Sequence, residues 1–188
     1  MPSKPVIPLF VAIAALAACG GPPDQRLAVP KAPVAEKQPV RYSTIALREV
    51  SLPSYAALEE IYVADETGLL TTREGVIWAD DPVRAITLEI SRYLSNITGA
   101  QVVAEPWPFD EPAQATLELR IEDMLARSDG TFQLAGQYYI SSEGGRGRTR
   151  LFDLSVPMPE EDGVTAIATA RSQAVRDLAL EIARQGLR

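Results

Sequence analysis

Residues 115–125 read ATLELRIEDML. Leu117, Leu119 and Ile121 alternate with Glu118, Arg120 and Glu122, a period of two that puts apolar side chains on one face of a strand and charges on the other. The Ser-Asp-Gly that follows at 128–130 is a hairpin turn, and TFQLAGQYYIS (131–141) continues as a second strand. EGGRG (143–147) turns the chain again into RTRLFDLSV (148–156). Three consecutive antiparallel strands with one wet face need a second layer to cover the other.

Two helical stretches can supply that layer. In DDPVRAITLEISRYLSNITG (80–99), Val83, Ile86, Ile90, Leu94 and Ile97 recur at spacings of three and four. Asp81 is placed to cap this helix, Pro82 suits its first position and Gly99 its end. The closing stretch 162–186 aligns Val164, Ile167, Val175, Leu178 and Ile182, with Arg171 alone interrupting the apolar seam. Upstream, 42–52 reads as a strand ending at Pro53, and 59–78 as short strands around turns at Glu66-Thr67-Gly68 and Glu74-Gly75. Residues 100–109 give a short strand cut off by Pro106 and Pro108. The expected fold class is α+β: a two-layer sandwich, mainly antiparallel, with two amphipathic helices packed on one face of the sheet.

The amino-terminal quarter differs in kind. Lys4 precedes an apolar run over 6–18 broken only by Pro8, shorter than the ~20 residues that span a bilayer. A positive start, a short apolar middle and small residues at the end are signal-peptide features, assigned here to 1–18. The only cysteine, Cys19, follows at once, in a Leu16-Ala17-Ala18-Cys19 sequence that closely resembles the bacterial lipobox. The resemblance implies that Cys19 is diacylated and becomes the first residue of the mature chain; several acyl chains anchor where one is marginal. Residues 19–40 carry Pro22, Pro23, Pro30, Pro33 and Pro39 with no lasting apolar period, and read as a tether without a core. As extended chain such a tether reaches up to ~65 Å. Folded structure is expected over 41–188.

Composition excludes several functions. The net charge of −7 becomes −8 once 1–18, with Lys4, are removed, so nucleic acid is not an expected partner. With no histidine and one acylated cysteine, no Cys/His metal set and no histidine-based triad can form. No lysine follows Lys37, which removes a serine–lysine pair from the folded part. Asp80 and Asp81 are adjacent carboxylates before a helix, where they serve free amides better than they face a cleft, and Glu160, Glu161 and Asp162 read the same way.

Four segments and their order carry a family resemblance: VSLPSYA (50–56), WADDPVRA (78–85), VAEPWPF (103–109) and the hairpin of 129–156 followed by a closing helix. Together with the lipobox, they resemble the PqiC family of ABC-type transport auxiliary lipoproteins. The resemblance implies a non-enzymatic accessory role in lipid transport across a Gram-negative envelope, with an MCE-domain transport protein and its membrane permease system as partners and a homo-oligomer as a possible assembly. Gly20 and Gly21 lack the aspartate that resembles an inner-membrane retention signal, which points to the periplasmic face of the outer membrane. No cofactor is expected beyond the lipid on Cys19.

Candidate partner-binding residues follow from the same reading. Trp107 and Phe109, on a proline-stiffened loop, suit an interface anchor or fold back over the sheet or the first helix. Arg146, Arg148 and Arg150 project from one side of a strand, to meet lipid phosphates or an acidic surface or simply to solvate that strand. Tyr55 and Trp78 read as core or rim packing. A rival reading is a carrier that holds a lipid between helices and sheet, which needs a cavity of roughly several hundred Å³.

Overall fold

The computed structural model describes residues 24–188 apart from 35, 146, 161 and 162. The elements run β1 (Gln25–Leu27), β2 (Thr44–Leu47), β3 (Glu60–Ala64), β4 (Leu70–Trp78), α1 (Pro82–Thr98), β5 (Gln101–Ala104), β6 (Ala115–Arg127), β7 (Thr131–Ser142), β8 (Arg148–Pro157) and α2 (Val164–Glu181), which passes into a π-helical turn, Ile182–Gly186. The fold is α+β.

The stretch that opened the sequence reading becomes β6, the spine of the sheet. At ~3.3 Å per residue it is roughly 40 Å long. One edge pairs antiparallel with β7 from Ala115↔Ser142 to Ala126↔Phe132, and β7 pairs in turn with β8. The other edge is shared. β2 takes its start, Ile45↔Ala115 to Leu47↔Leu117, and β3 takes its end, Val63↔Ala126 and Ala64↔Arg127, both parallel. A single bridge, Ser51↔Arg120, lies between them. β5 extends the first prong in parallel; β4 and then β1 extend the second. The eight-stranded sheet is therefore forked and mixed: antiparallel pairing holds for the long strands, as expected, while most short strands join in parallel.

Alternation along β6 breaks at a bulge between Ile121 and Asp123, where Glu122 is the extra residue. Before it Leu117, Leu119 and Ile121 are buried; after it Met124, Leu125 and Ala126 are. Gly136 faces the bulge, and a Cβ there would collide with the Arg120 carbonyl oxygen and come within 2.9 Å of the Ile121 Cα. Glu74-Gly75, expected as a turn, instead lies inside β4. Its partners jump from Glu60↔Ile77 to Tyr62↔Thr72, so β4 bows away from β3 in between, while Ile77 pairs with Glu60 on one edge and with Arg26 of β1 on the other.

Both helices lie on the inner face. Asp81 Oδ1 accepts from the Arg84 amide at 2.7 Å, Pro82 opens α1, and Gly99 (φ 74°) closes it with its N–H on the Ser95 carbonyl. Asp80 accepts from the Asp81 amide and pairs with Arg84. The carboxylates before α1 are thus capping groups. For α2 the first residue before the helix is Gly163, with no side-chain cap, and Glu161 and Asp162 lie outside the described residues. Ile86, Ile90, Leu94 and Ile97 of α1 join Ala170, Ala174, Val175 and Leu178 of α2 in one core with the inner faces of β6 and β7.

The expected tether is a correction. Its described residues over 24–40 form a strap that starts the domain. β1 pairs with β4, and the Ala79 amide donates to the Leu27 carbonyl at 3.0 Å. Midway, the Ala32 N–H donates to Tyr93 Oη at 2.8 Å and Ser172 Oγ at 3.0 Å, one acceptor on each helix. Lower down, Lys37 reaches the Asn96 carbonyl, Gln38 N–H the Ile97 carbonyl and Glu36 pairs with Arg184. Leu27, Val29, Val34 and Val40 pack against the core. The physical reason is that Pro30 and Pro33 need no N–H partner and hold the chain extended, so a few isolated valines and borrowed side-chain acceptors are enough to seat it.

Candidate functional site

The start of β6 is one end of the molecule, and most of the predicted interaction residues gather there. The loop between β5 and β6 carries Trp107 and Phe109 edge to face, centroids 5.1 Å apart, with Trp107 Nε1 donating to the Glu111 carbonyl at 2.8 Å. Phe109 is 46% exposed and Trp107 half-buried. The rings pack edge to face on each other, with Phe109 the more exposed of the two. The loop ends at Gln114, whose Oε1 accepts from the Ser43 amide at 2.7 Å and whose amide donates to Thr44 Oγ1. These bonds fix it to the start of β2.

A groove of about 700 Å³ opens beside this loop, lined by Arg41, Tyr42, Gln114, Ser142, Glu143 and Arg148 among others. Arg148 is half committed: its Nη1 donates to the Gly186 carbonyl at 3.1 Å and to the Arg188 carbonyl. Arg41 donates its amide to Leu187 at 2.8 Å, and among the described residues its guanidinium makes no ion pair. Arg150 lies opposite Tyr138 in register, on the same face as Arg148, and close enough to Glu181 to hold down a carboxyl that burial pushes up. The expected arginine stripe therefore divides between a strut for the carboxyl terminus and an exposed side chain. Arg146 and the lipidation residue Cys19 lie outside the described residues.

The outer face of the sheet is self-compensated. Glu118 sits between Arg48 (2.9 Å) and Arg120 (2.7 Å), and these bonds, Arg120 first, hold its carboxyl below the usual range. Arg120 also lies 5.2 Å over the Tyr139 ring.

Sequence reasoning missed one constellation. Arg171, noted only as an interruption in the seam of α2, is 1% exposed and faces Glu89 of α1 at 3.4 Å. Its guanidinium carbon lies 4.9 Å from the centre of the Trp78 ring. Burial lowers the Arg171 pKa and raises that of Glu89. Among the described residues, Glu89 Oε2 and Arg171 Nε have no hydrogen-bond partner. A cleft of about 240 Å³ under the strap, with Val29, Lys31 and Arg92 in its wall, reaches both residues. The missed signal was Glu89 three residues after Ile86, on the buried stripe of a second helix that also carries a charge.

A family model described as the ABC-type transport auxiliary lipoprotein component matches residues 26–183. The chain belongs to that family. The match begins inside β1, so this auxiliary lipoprotein counts the strap as part of its domain. Two solved structures share the fold. Protein XCC0632 from Xanthomonas campestris aligns at TM-score 0.69 and 16% identity, covering 87% of this chain and 95% of its own. An uncharacterized protein aligns at TM-score 0.68 and 16% identity, covering 85% and 97%. No curated protein matches the chain.

Proposed function

We propose that this auxiliary lipoprotein is a non-enzymatic docking component of a lipid-transport system, anchored through acyl chains on Cys19 to the periplasmic leaflet of the outer membrane. Its partner is an MCE-domain transport protein served by a membrane permease. The family match supports the transport role. The observation that carries the docking reading is the opposition of two ends. The chain enters the domain at β1, on the prong of the sheet that joins the end of β6, whereas the aromatic loop and the arginine groove lie at its start. An anchored body is then exposed to a partner at its far end, and anchoring raises the local concentration so that a modest interface suffices.

The space deep between sheet and helices bounded by Tyr55, Trp78, Met124, Phe132 and Ile167 is about 20 Å³, too small for a lipid chain. The lipid-carriage rival would have to use the open cleft of about 410 Å³ at the end of β6, lined by Val63, Ala126, Met158, Ala166 and Ile167. The test is a crosslinking pull-down from intact envelopes with the lipidated protein. Recovery of an MCE-domain protein by the wild type, lost with Trp107→Ala/Phe109→Ala, supports the reading; equal recovery by that variant and by Cys19→Ser overturns it.

A further inference from the structure

The buried pair of Glu89 and Arg171 is incomplete by itself. Among the described residues the Arg171 guanidinium makes a single hydrogen bond, to Glu89 Oε1 at 3.4 Å, and otherwise rests 4.9 Å from the centre of the Trp78 ring. Arg171 Nε and Glu89 Oε2 are left without partners among the described residues. Unsatisfied polar atoms at this depth are costly, and each calls for a group that supplies the missing bond. The cleft of about 240 Å³ that reaches both residues is also unbalanced in charge. Lys31 enters its wall from the strap and Arg92 from α1, and among the described residues neither makes an ion pair. The second acid in the wall, Asp80, is already committed: Oδ1 accepts from the Asp81 amide and Oδ2 pairs with Arg84. Lys31, Arg92 and Arg171 therefore stand against Glu89 alone, an excess of two positive charges in a chain whose net charge is −7.

We propose that this cleft is a binding site for a phosphate monoester. Such a group carries about −1.5 to −2 charges at pH 7, which matches the excess. Its oxygens accept from Arg171, Arg92 and Lys31, and one proton is held between a phosphate oxygen and Glu89 Oε2, so both orphaned atoms are completed. Burial raises the Glu89 pKa against the pull of Arg171 and Arg92, and this favours the shared proton. Water alone satisfies the two atoms but leaves Lys31 and Arg92 unneutralised. The cleft is smaller than the ~300 Å³ at which drug-sized pockets begin, a volume suited to a headgroup. Leu27, Val29 and Leu88, the last 42% exposed, give the same cleft an apolar lip along which a short carbon stem can leave. Because Lys31 belongs to the strap while Arg92 and Arg171 belong to the two helices, the ligand ties the strap to the body. The site does not involve the aromatic loop or Cys19, so it stands or falls apart from the docking reading.

Titration calorimetry on the full chain with three probes tests the site: glycerol phosphate, dihexanoyl phosphatidate and sulfate. Binding of both phosphate esters alike supports the site and assigns it a soluble ligand; binding of the phosphatidate alone supports it and assigns a lipid headgroup. Sulfate, which has no proton to share with Glu89 at neutral pH, should bind more weakly than either, and Glu89→Gln should erase that preference. Lys31→Ala/Arg92→Ala should weaken phosphate binding about tenfold or more with an unchanged melting temperature, since neither side chain makes an ion pair. Arg41→Ala, at the other end of the molecule, should change nothing. Hydrogen exchange at the amides of 27–32 should slow when the ester is bound. The proposal is overturned if neither ester binds, if sulfate binds the wild type as well as phosphate does, or if Lys31→Ala/Arg92→Ala binds no more weakly than Arg41→Ala.

Discussion

Glu89 and Arg171 face each other across the interface of α1 and α2 with 3.4 Å between Oε1 and Nη2, in a site where Arg171 is 1% exposed. A buried pair of this kind is a weak contributor compared with well-packed apolar residues, but a broken one is costly. Arg171→Met leaves the Glu89 carboxylate buried without its cation and should lower unfolding free energy by about 3–5 kcal/mol. Arg171→Met/Glu89→Leu should recover most of that loss. Urea denaturation of the two variants checks both; a double variant no better than the single one would show that the pair acts through packing alone.

Tyr138 predicts an alkaline limb. Its ring is fully buried, its Oη has no hydrogen-bond partner among the described residues, and burial pushes its pKa up to about 12. The fold therefore holds the neutral phenol where the unfolded chain ionises at the ordinary value of 10.0. This group's stabilisation is complete below pH 10 and falls as pH climbs towards about 12. Tyr138→Phe should flatten that part of the stability profile and leave neutral-pH stability within about 1 kcal/mol, since the hydroxyl it removes is unsatisfied. Tyr55, also pushed up to about 12, mainly by burial, keeps a residual limb in the variant. Thermal melts across the alkaline range measure the difference.

The strap predicts a local effect. The Ala32 N–H has its acceptors on two helices, Tyr93 Oη and Ser172 Oγ. Tyr93→Phe/Ser172→Ala strips both and should cost about 1–3 kcal/mol of strap docking. Hydrogen exchange should accelerate at the strap amides while those of β6 and β7 hardly change. Uniform acceleration through the domain would mean that the strap and core open together.

Gly136 is required by close approach. Gly136→Ala drives a methyl into the Arg120 carbonyl beside the β6 bulge, and overpacking of this kind costs about 1–3 kcal/mol. Calorimetry should show a lowered melting temperature. Gly145, in the β7–β8 turn, would bring its Cβ against only the Ser142 side chain at close range, and Gly145→Ala should cost less.

What the sequence made legible was local. α1 could be bounded because Asp81, Pro82 and Gly99 each act within one turn of the helix. The β6–β7 hairpin could be placed because Asp129 and Gly130 sit between two alternating runs. The fork of the sheet was not legible. β2 and β3 contribute only three and two residues of pairing to β6, and which strand they join depends on where a long connection returns. The strap was misread because its proline content was taken as absence of structure, when its partners, Tyr93 and Ser172, lie 61 and 140 residues away. The bulge had a visible cue in the adjacent Glu122 and Asp123, which interrupt the alternation. Of the candidate interaction residues, the contact between Trp107 and Phe109 had a cue in the prolines around them, but nothing near Arg148 in sequence reveals that the Gly186 and Arg188 carbonyls would occupy it.

Because the strap lies down on its own body, the leader between Cys19 and Gln25 is a matter of five residues, at most ~20 Å fully extended. On the proposed anchor at Cys19, a body about twice that long would have a short leash and would ride close above the lipid surface. The seam between β1 and β4 would then set its height and tilt, and a partner would have to come down to meet it.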